Sequence, residues 1–213
     1  MTFFTETLNK HAVLFQMLSD FVSETCATRD ISHGWSHMKL VAETSIQIAE
    51  EYGLEDEQMR LVLICAWLHD VDDHKYGNEN KEVLEAFLTE NFSEEKTKIL
   101  AIIERVAFSR EKAWGRNDWL AVLGIDGVIV RNIVSDADKL DAINAHRCYM
   151  YQKMKGPQLS EKELWQDVIQ HCHDKLFHLK DKYILSYKGK ILAEPLHEKM
   201  IADIENIKRE YDI

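Results

Sequence analysis

Apolar residues recur every three or four positions along most of the chain, the spacing that places them on one face of an α-helix. One such stripe covers residues 38–52, and Gly53 follows it where helices commonly end. Another stripe follows Ser160, whose spacing to Glu163 fits a capping box at a helix start. The hydrophobic pattern therefore predicts helices as the main element.

The same pattern sets further helix boundaries. Ser93 before two glutamates predicts an N-cap, and the last amphipathic stripe covers about residues 191–211, where Pro195 is expected to interrupt the helix. Residues 128–130 are the only strand-like patch, and they too are compatible with a helix. We predict an all-α fold of about eight to ten helices, given typical helix lengths.

The most informative stretch is a predicted helix over residues 55–71, apolar on every side from Leu61 to Leu68 and followed directly by His69 and Asp70. Such a helix is normally buried, and a buried imidazole and carboxylate need partners. Taken alone, the pair is compatible with a hydrogen bond in the core or with two ligands of one metal ion.

Composition narrows the class of protein. The 213 residues carry a formal net charge of −11 without a basic run, which disfavours extended nucleic acid as a partner because such binding needs positive potential. The four cysteines are scattered, and the sequence starts without a basic segment followed by an apolar one. The longest apolar run is eight residues, too short to cross a bilayer. These features predict a cytoplasmic protein that does not enter a membrane. Since no proline-rich or glycine-rich linker appears, we expect residues 1–213 to form one domain.

Two other segments complete a sparse pattern: Ser32–Val41, which places His37 at a helix start, and Ser135–Ile143, which carries three acids in apolar surroundings. Together with Leu68-His69-Asp70, this pattern resembles the HD-domain superfamily of metal-dependent phosphohydrolases. The chain is most similar to a branch of small bacterial HD hydrolases, through its extra His33, its segment 136–143 and its segment 171–176. The resemblance covers about residues 28–200 and implies an HD-type helical bundle, with residues 1–27 as an N-terminal helix packed on it.

The resemblance implies one divalent ion (Mn²⁺, Co²⁺, Ni²⁺, Fe²⁺, Mg²⁺ or Zn²⁺) bound by two histidines and two aspartates: His37, His69, Asp70 and Asp138. Asp73 matches the position of a general base in related nucleotidases, and it would share the face of the metal ligands if the helix continued. His33 is expected either to contact a substrate phosphate or leaving group or to cap the next helix.

Several cations are candidates for holding a phosphorylated substrate, although each taken singly also fits a surface charge. These candidates are Lys75, Lys139 and Arg110. His171 and Lys175 either close the pocket or form a structural hydrogen bond.

Three positions depart from the branch pattern, namely Asn144, His146 and Leu196, and they bear on substrate identity more than on metal binding. Between Lys75 and Ala137 the sequence contains no histidine. The extra histidines that the resemblance implies for two-metal members are therefore missing, which predicts a mononuclear site.

The leading functional hypothesis is a metal-dependent phosphohydrolase acting on a small phosphorylated metabolite, most of all a nucleotide, as a pyrophosphohydrolase or nucleotidase. In such an enzyme the ion would activate a water molecule for attack on phosphorus. The main alternative is a non-catalytic sensor of the HD fold that binds a nucleotide through the metal site. An iron redox enzyme and a purely structural bundle are further alternatives.

Overall fold

The computed structural model describes residues 2–30, 32–73, 79–155 and 159–213. Its contacts group the chain into two compact units, Met1–Ala137 and Asp138–Ile213. Eleven α-helices and no strand occur in these described ranges, so the predicted all-α class is confirmed.

The first unit contains seven helices and most of an eighth. They are α1 (Phe3–Lys10), α2 (Ala12–Thr25), α3 (Trp35–Ala49), α4 (Asp56–Leu68), α5 (Glu79–Asn91), α6 (Lys96–Glu104), α7 (Phe108–Trp114) and α8 (Trp119–Ala142). The boundary between the units falls within α8. The predicted patch at residues 128–130 is part of this helix.

The second unit holds the end of α8 and three further helices. They are α9 (Ala145–Lys155), α10 (Glu161–Asp174) and α11 (Tyr187–Tyr211). Ser160 caps α10 with the predicted capping box to Glu163. Among the described residues of both units, none of the helices combines the length and apolar character needed to cross a bilayer.

Helix α4 forms the centre of the first unit. It packs against α3, α2 and α6, and all eight residues from Leu61 to Leu68 are buried, as the apolar run predicts. Burial of apolar surface stabilises the folded state by about 25 cal/mol per Å². Because α4 is buried on every side, this contribution holds its C-terminal end in place, where His69 and Asp70 follow.

Helix α4 is shorter than the predicted span of residues 55–71, because it ends at Leu68 and residues 69–72 form a turn. The guanidinium of Arg29 donates to the carbonyl oxygens of Asp70 and Val71, both at 2.5 Å. The backbone hydrogen bonds of this turn run three residues back, from the Val71 N–H to Leu68 and from the Asp73 N–H to Asp70, both at 3.1 Å. The turn therefore replaces the last residues of the predicted helix, and Arg29 binds two of its carbonyl oxygens.

The structure confirms the predicted helix end at Gly53 but not the predicted helix start at Ser93. Gly53 follows α3 and a short 3₁₀ turn in the left-handed conformation (φ 57°), as expected of a helix end. Ser93 is not an N-cap: the chain turns after α5, with Glu95 N–H donating to Phe92, and α6 begins only at Lys96.

Pro195 does not interrupt the last helix, which runs from Tyr187 to Tyr211. Proline lacks the N–H that would donate to the Ile191 carbonyl, so the helix continues with one backbone hydrogen bond fewer. The N-terminal segment, predicted as one helix, forms two helices separated at His11. The eleven helices of the described residues are close to the predicted eight to ten.

Candidate metal centre

Three donor atoms meet in the first unit. His37 lies in the first turn of α3, whereas His69 and Asp70 follow the end of α4. The two Nε2 atoms are 3.3 Å apart, and Asp70 Oδ2 lies 3.6 Å from His37 Nε2 and 3.7 Å from His69 Nε2. Packing of α3 on α4 therefore brings together three of the four predicted metal ligands.

The surroundings orient the His69 ring for metal binding. Its Nδ1 donates to the carbonyl oxygen of Ala66 at 2.8 Å, so in the neutral ring Nε2 carries the lone pair that faces His37 and Asp70. A backbone carbonyl on the far nitrogen is the usual arrangement for a metal-binding histidine.

The donor set fits a divalent ion in both spacing and chemistry. With metal–nitrogen bonds of about 2.0–2.1 Å, neighbouring ligands of a tetrahedral or octahedral ion are about 2.8–3.4 Å apart, close to the separations observed here. Two imidazoles and a carboxylate suit Mn²⁺, Fe²⁺, Co²⁺, Ni²⁺ or Zn²⁺. The side chains of His37 and His69 are 0% and 1% exposed, so a bound ion would be shielded from water on that side.

The charge state of Asp70 also suits a ligand. Burial alone would raise its pKa, but the imidazoles of His69 and His37 and the hydrogen bond from His37 together hold the pKa of the Asp70 carboxyl well below its usual range. Asp70 is therefore ionised at neutral pH.

His33 belongs to a second group of donors. One ligand atom each from His33, Asp70 and Asp73 lie within 4.8 Å of one another. Ser32 Oγ donates to Asp30 and lies 2.7 Å from His33 Nδ1, so Nδ1 is the nitrogen that donates to Ser32. This hydrogen bond fixes the tautomer of the neutral ring, with the proton on Nδ1 and the lone pair on Nε2.

Asp73 reaches the site by a route other than the predicted one. The helix that would have placed it on the ligand face ends at Leu68, and Asp73 follows a turn in which its N–H donates to Asp70 at 3.1 Å. Asp73 is nonetheless only 9% exposed and lies next to Asp70 and His33. The prediction that α4 continues past Leu68 was wrong, but Asp73 lies near the metal ligands without that helix.

A cleft of about 480 Å³ opens beside the donors and is lined by His69, Asp70 and Asp73. Two cations, Lys81 on α5 and Arg110 on α7, also line it. Its apolar wall comes from α5, α6 and the residues before α7: Leu84, Leu100, Ala101, Ile103 and Ala107.

Arg110 was singled out from the sequence, and Lys81 was not. The guanidinium of Arg110 lies 4.7 Å from the ring of Trp114 and 3.6 Å from the carboxylate of Glu104, two contacts that fix its direction. The positive charge of Lys81 acts on Asp72, whose pKa burial raises. No periodicity marks Lys81, because it is one of many charged residues on an exposed helix.

Four predicted site residues fall in the second unit: Asp138, Lys139, His171 and Lys175. Asp138 and Lys139 lie on α8, where Lys139 is 1% exposed, so its charge is not a surface charge. His171 lies on α10 and Lys175 caps that helix; burial first, and then the charge of Lys175, lower the pKa of His171. Their roles remain predictions, and Lys75 lies outside the described residues.

The departures from the branch pattern have local roles. Asn144 Oδ1 accepts from the N–H of Arg147 at 3.0 Å, which caps the start of α9. His146 stands edge-on to Trp165, with ring centres 5.3 Å apart, and Leu196 is 37% exposed on α11.

A model of the HD domain matches residues 34–143, which include His37, His69, Asp70 and Asp138. A comparison with curated protein sequences gives no significant match.

Solved structures with the same fold include proteins from three bacteria. A Lactobacillus plantarum protein is 24% identical with a TM-score of 0.73, over 93% of this chain and 96% of that one. Bacillus subtilis YpgQ in complex with ADP is 22% identical with a TM-score of 0.65, over 96% of each chain. An HD-superfamily hydrolase from Bacillus thuringiensis is 24% identical with a TM-score of 0.64, over 94% of this chain and 98% of that one. Because the family model matches more than half of the sequence, the chain belongs to the HD domain family.

Proposed function

We propose that this protein is a divalent-metal-dependent phosphohydrolase that acts on a small phosphorylated metabolite, with a nucleotide as the expected substrate. The observation that carries the proposal is the meeting of His37, His69 and Asp70 at the edge of a cleft that also contains Asp73 and cationic side chains. The complex of the similar B. subtilis protein with ADP supports a nucleotide as the substrate.

His37, His69 and Asp70 would hold the ion, with Asp138 proposed as the fourth ligand from its sequence motif. The ion supplies Lewis acidity to a phosphoryl oxygen and lowers the pKa of water. A cleft of about 480 Å³ accommodates a ligand of nucleotide size.

The residues of the cleft have complementary roles in the proposed reaction. Asp73 accepts the proton of the attacking water as its oxygen bonds to phosphorus. Arg110 and Lys81 bind the non-bridging phosphate oxygens, as guanidinium and ammonium groups do. His33, in its charged form, donates a proton from Nε2 to the leaving oxygen as the phosphorus–oxygen bond breaks, while Nδ1 stays bonded to Ser32.

Further substrate-binding residues are proposed from sequence motifs alone. Lys139, His171 and Lys175 are the candidates in the second unit. Lys75 is retained as a candidate on the same ground.

The test is a screen of the metal-free protein with added Mn²⁺, Co²⁺, Ni²⁺ or Mg²⁺ against nucleotides and generic phosphoesters, with product identification. Release of pyrophosphate indicates a pyrophosphohydrolase, and release of orthophosphate indicates a nucleotidase. Asp73→Asn should lower turnover by about 10²–10⁴-fold, the usual contribution of a general base, and leave metal binding intact.

Asp72→Asn is the matched control, since Asp72 lies in the same turn and lines the same cleft. It should retain turnover. Stoichiometric metal binding and nucleotide binding without turnover under any metal would refute the proposal and favour the non-catalytic sensor.

A further inference from the structure

Arg29 makes a long-range contact with the turn that carries the donors. It lies in the segment between α2 and α3, and its side chain reaches residues 41 and 42 positions further along the chain. Nη1 donates to the carbonyl oxygen of Asp70 and Nη2 to that of Val71, each at 2.5 Å. One planar guanidinium thus holds two consecutive peptide units.

The position of Arg29 is itself fixed by close backbone packing. Its N–H donates to Cys26 at 3.0 Å. A Cβ atom on Gly34 would lie 2.9 Å from the carbonyl oxygen of Asp30 and 3.4 Å from that of Arg29, so the segment lies directly against the start of α3. Arg29 therefore links the helix that carries His37 to the turn that carries His69 and Asp70.

The contact is electrostatically favourable as well as geometrically specific. A hydrogen bond from a charged guanidinium to a carbonyl oxygen is stronger than one from a neutral donor. Two parallel N–H···O bonds from one guanidinium also fix direction, which a lysine ammonium cannot do in the same way. The carbonyl that Arg29 holds belongs to Asp70 itself, whose side chain is one of the three donors.

We propose that Arg29 is a positioning residue of the metal centre: by holding the peptide units of Asp70 and Val71, it sets the orientation of the Asp70 carboxylate towards the two imidazoles. The inference rests on the proposed metal centre but does not require the proposed hydrolysis. It assigns to Arg29 a role in metal affinity that no sequence motif indicates.

The test measures Co²⁺ affinity of the full-length protein by isothermal titration, together with the visible absorption spectrum of the Co²⁺-loaded protein. Loss of an outer partner of metal ligands typically weakens affinity by about 10–100-fold, and this is the expected loss for Arg29→Met. Arg29→Lys keeps the charge but not the double contact, so we expect a smaller loss and a shifted absorption spectrum.

Arg60→Met is the matched control. Arg60 is also a part-buried arginine with short contacts, bonded to Glu95 at 2.5 and 2.6 Å, but it lies in the first turns of α4, away from the donors. Its loss should lower the melting temperature and leave the Co²⁺ dissociation constant unchanged.

Each outcome decides the question. A folded Arg29→Met protein with wild-type Co²⁺ affinity overturns the role of Arg29, as does an equal loss of affinity in Arg60→Met. If Arg29→Met does not fold, Arg29→Lys decides, and an unchanged affinity and spectrum overturn the proposal. Absence of turnover with Co²⁺ binding intact refutes only the hydrolase, and a wild-type protein that binds no Co²⁺ refutes the metal centre itself.

Discussion

Metal binding should stabilise the folded protein, and removal of one histidine should abolish that gain. His69→Gln is the sharpest perturbation, because His69 supplies one of three converging donors and its ring is already oriented by Ala66. An unfolded chain does not bring these donors together, so the ion binds the folded state preferentially.

The size of the effect follows from binding linkage. At a free metal concentration of 100 times the dissociation constant, binding adds about 2.7 kcal/mol to the free energy of unfolding. For a chain of 213 residues, about 1 kcal/mol raises the melting temperature by about 2–4 °C. The wild-type protein should therefore melt about 5–11 °C higher with metal than with chelator.

The assay is thermal unfolding followed by circular dichroism, with chelator or with excess Mn²⁺, Co²⁺ or Ni²⁺. His69→Gln should show no difference between the two conditions. His178→Gln is the control, because His178 is an exposed histidine in the second unit, and it should keep the full difference. An equal shift in His69→Gln and the wild-type protein would refute the assignment of His69 as a ligand.

Three further predictions concern side-chain and backbone contacts in the first unit. Gly34→Ala should destabilise the protein by about 1–3 kcal/mol, the usual cost of overpacking, and denaturant unfolding will measure it; an unchanged midpoint would contradict the close packing. Arg131→Met should lower the free energy of unfolding by about 3–5 kcal/mol, because it leaves Glu111 buried with one fewer partner. Adding Glu111→Gln should recover most of this loss, and a double variant no more stable than Arg131→Met would contradict the importance of the pair. Ser32→Ala should lower kcat more than it raises KM because His33 loses its hydrogen bond, while Ser32→Thr should retain activity; equal losses in both would point to a packing defect instead.

Local sequence signals predicted much of the helical framework. The apolar run before His69 identified the buried helix α4, and the Ser160 capping box and Gly53 marked real helix boundaries. These predictions succeed because helix formation and capping depend on residues within one or two turns of each other. The family resemblance added His37 as the partner of the His69-Asp70 pair, and the two helices do meet there.

Contacts between distant segments decided the rest. The sequence predicted that α4 would continue to Val71, but the chain forms a turn after Leu68, and the guanidinium of Arg29 donates to the carbonyl oxygens of Asp70 and Val71 in that turn. Lys81 joins Arg110 in the cleft only because α5 and α7 both border it, and a single charged residue on an exposed helix gives no signal of this.

The amino-acid sequence by itself thus determined the helical class and the residue types able to bind a metal. Only the tertiary structure decided where α4 ends, which arginine donates hydrogen bonds to the turn after it, and which cations line the cleft. The physical reason is range: hydrophobic periodicity and capping act over a few residues, whereas the contact of Arg29 with Asp70 spans 41 positions and exists only once α2, α3 and α4 have packed together.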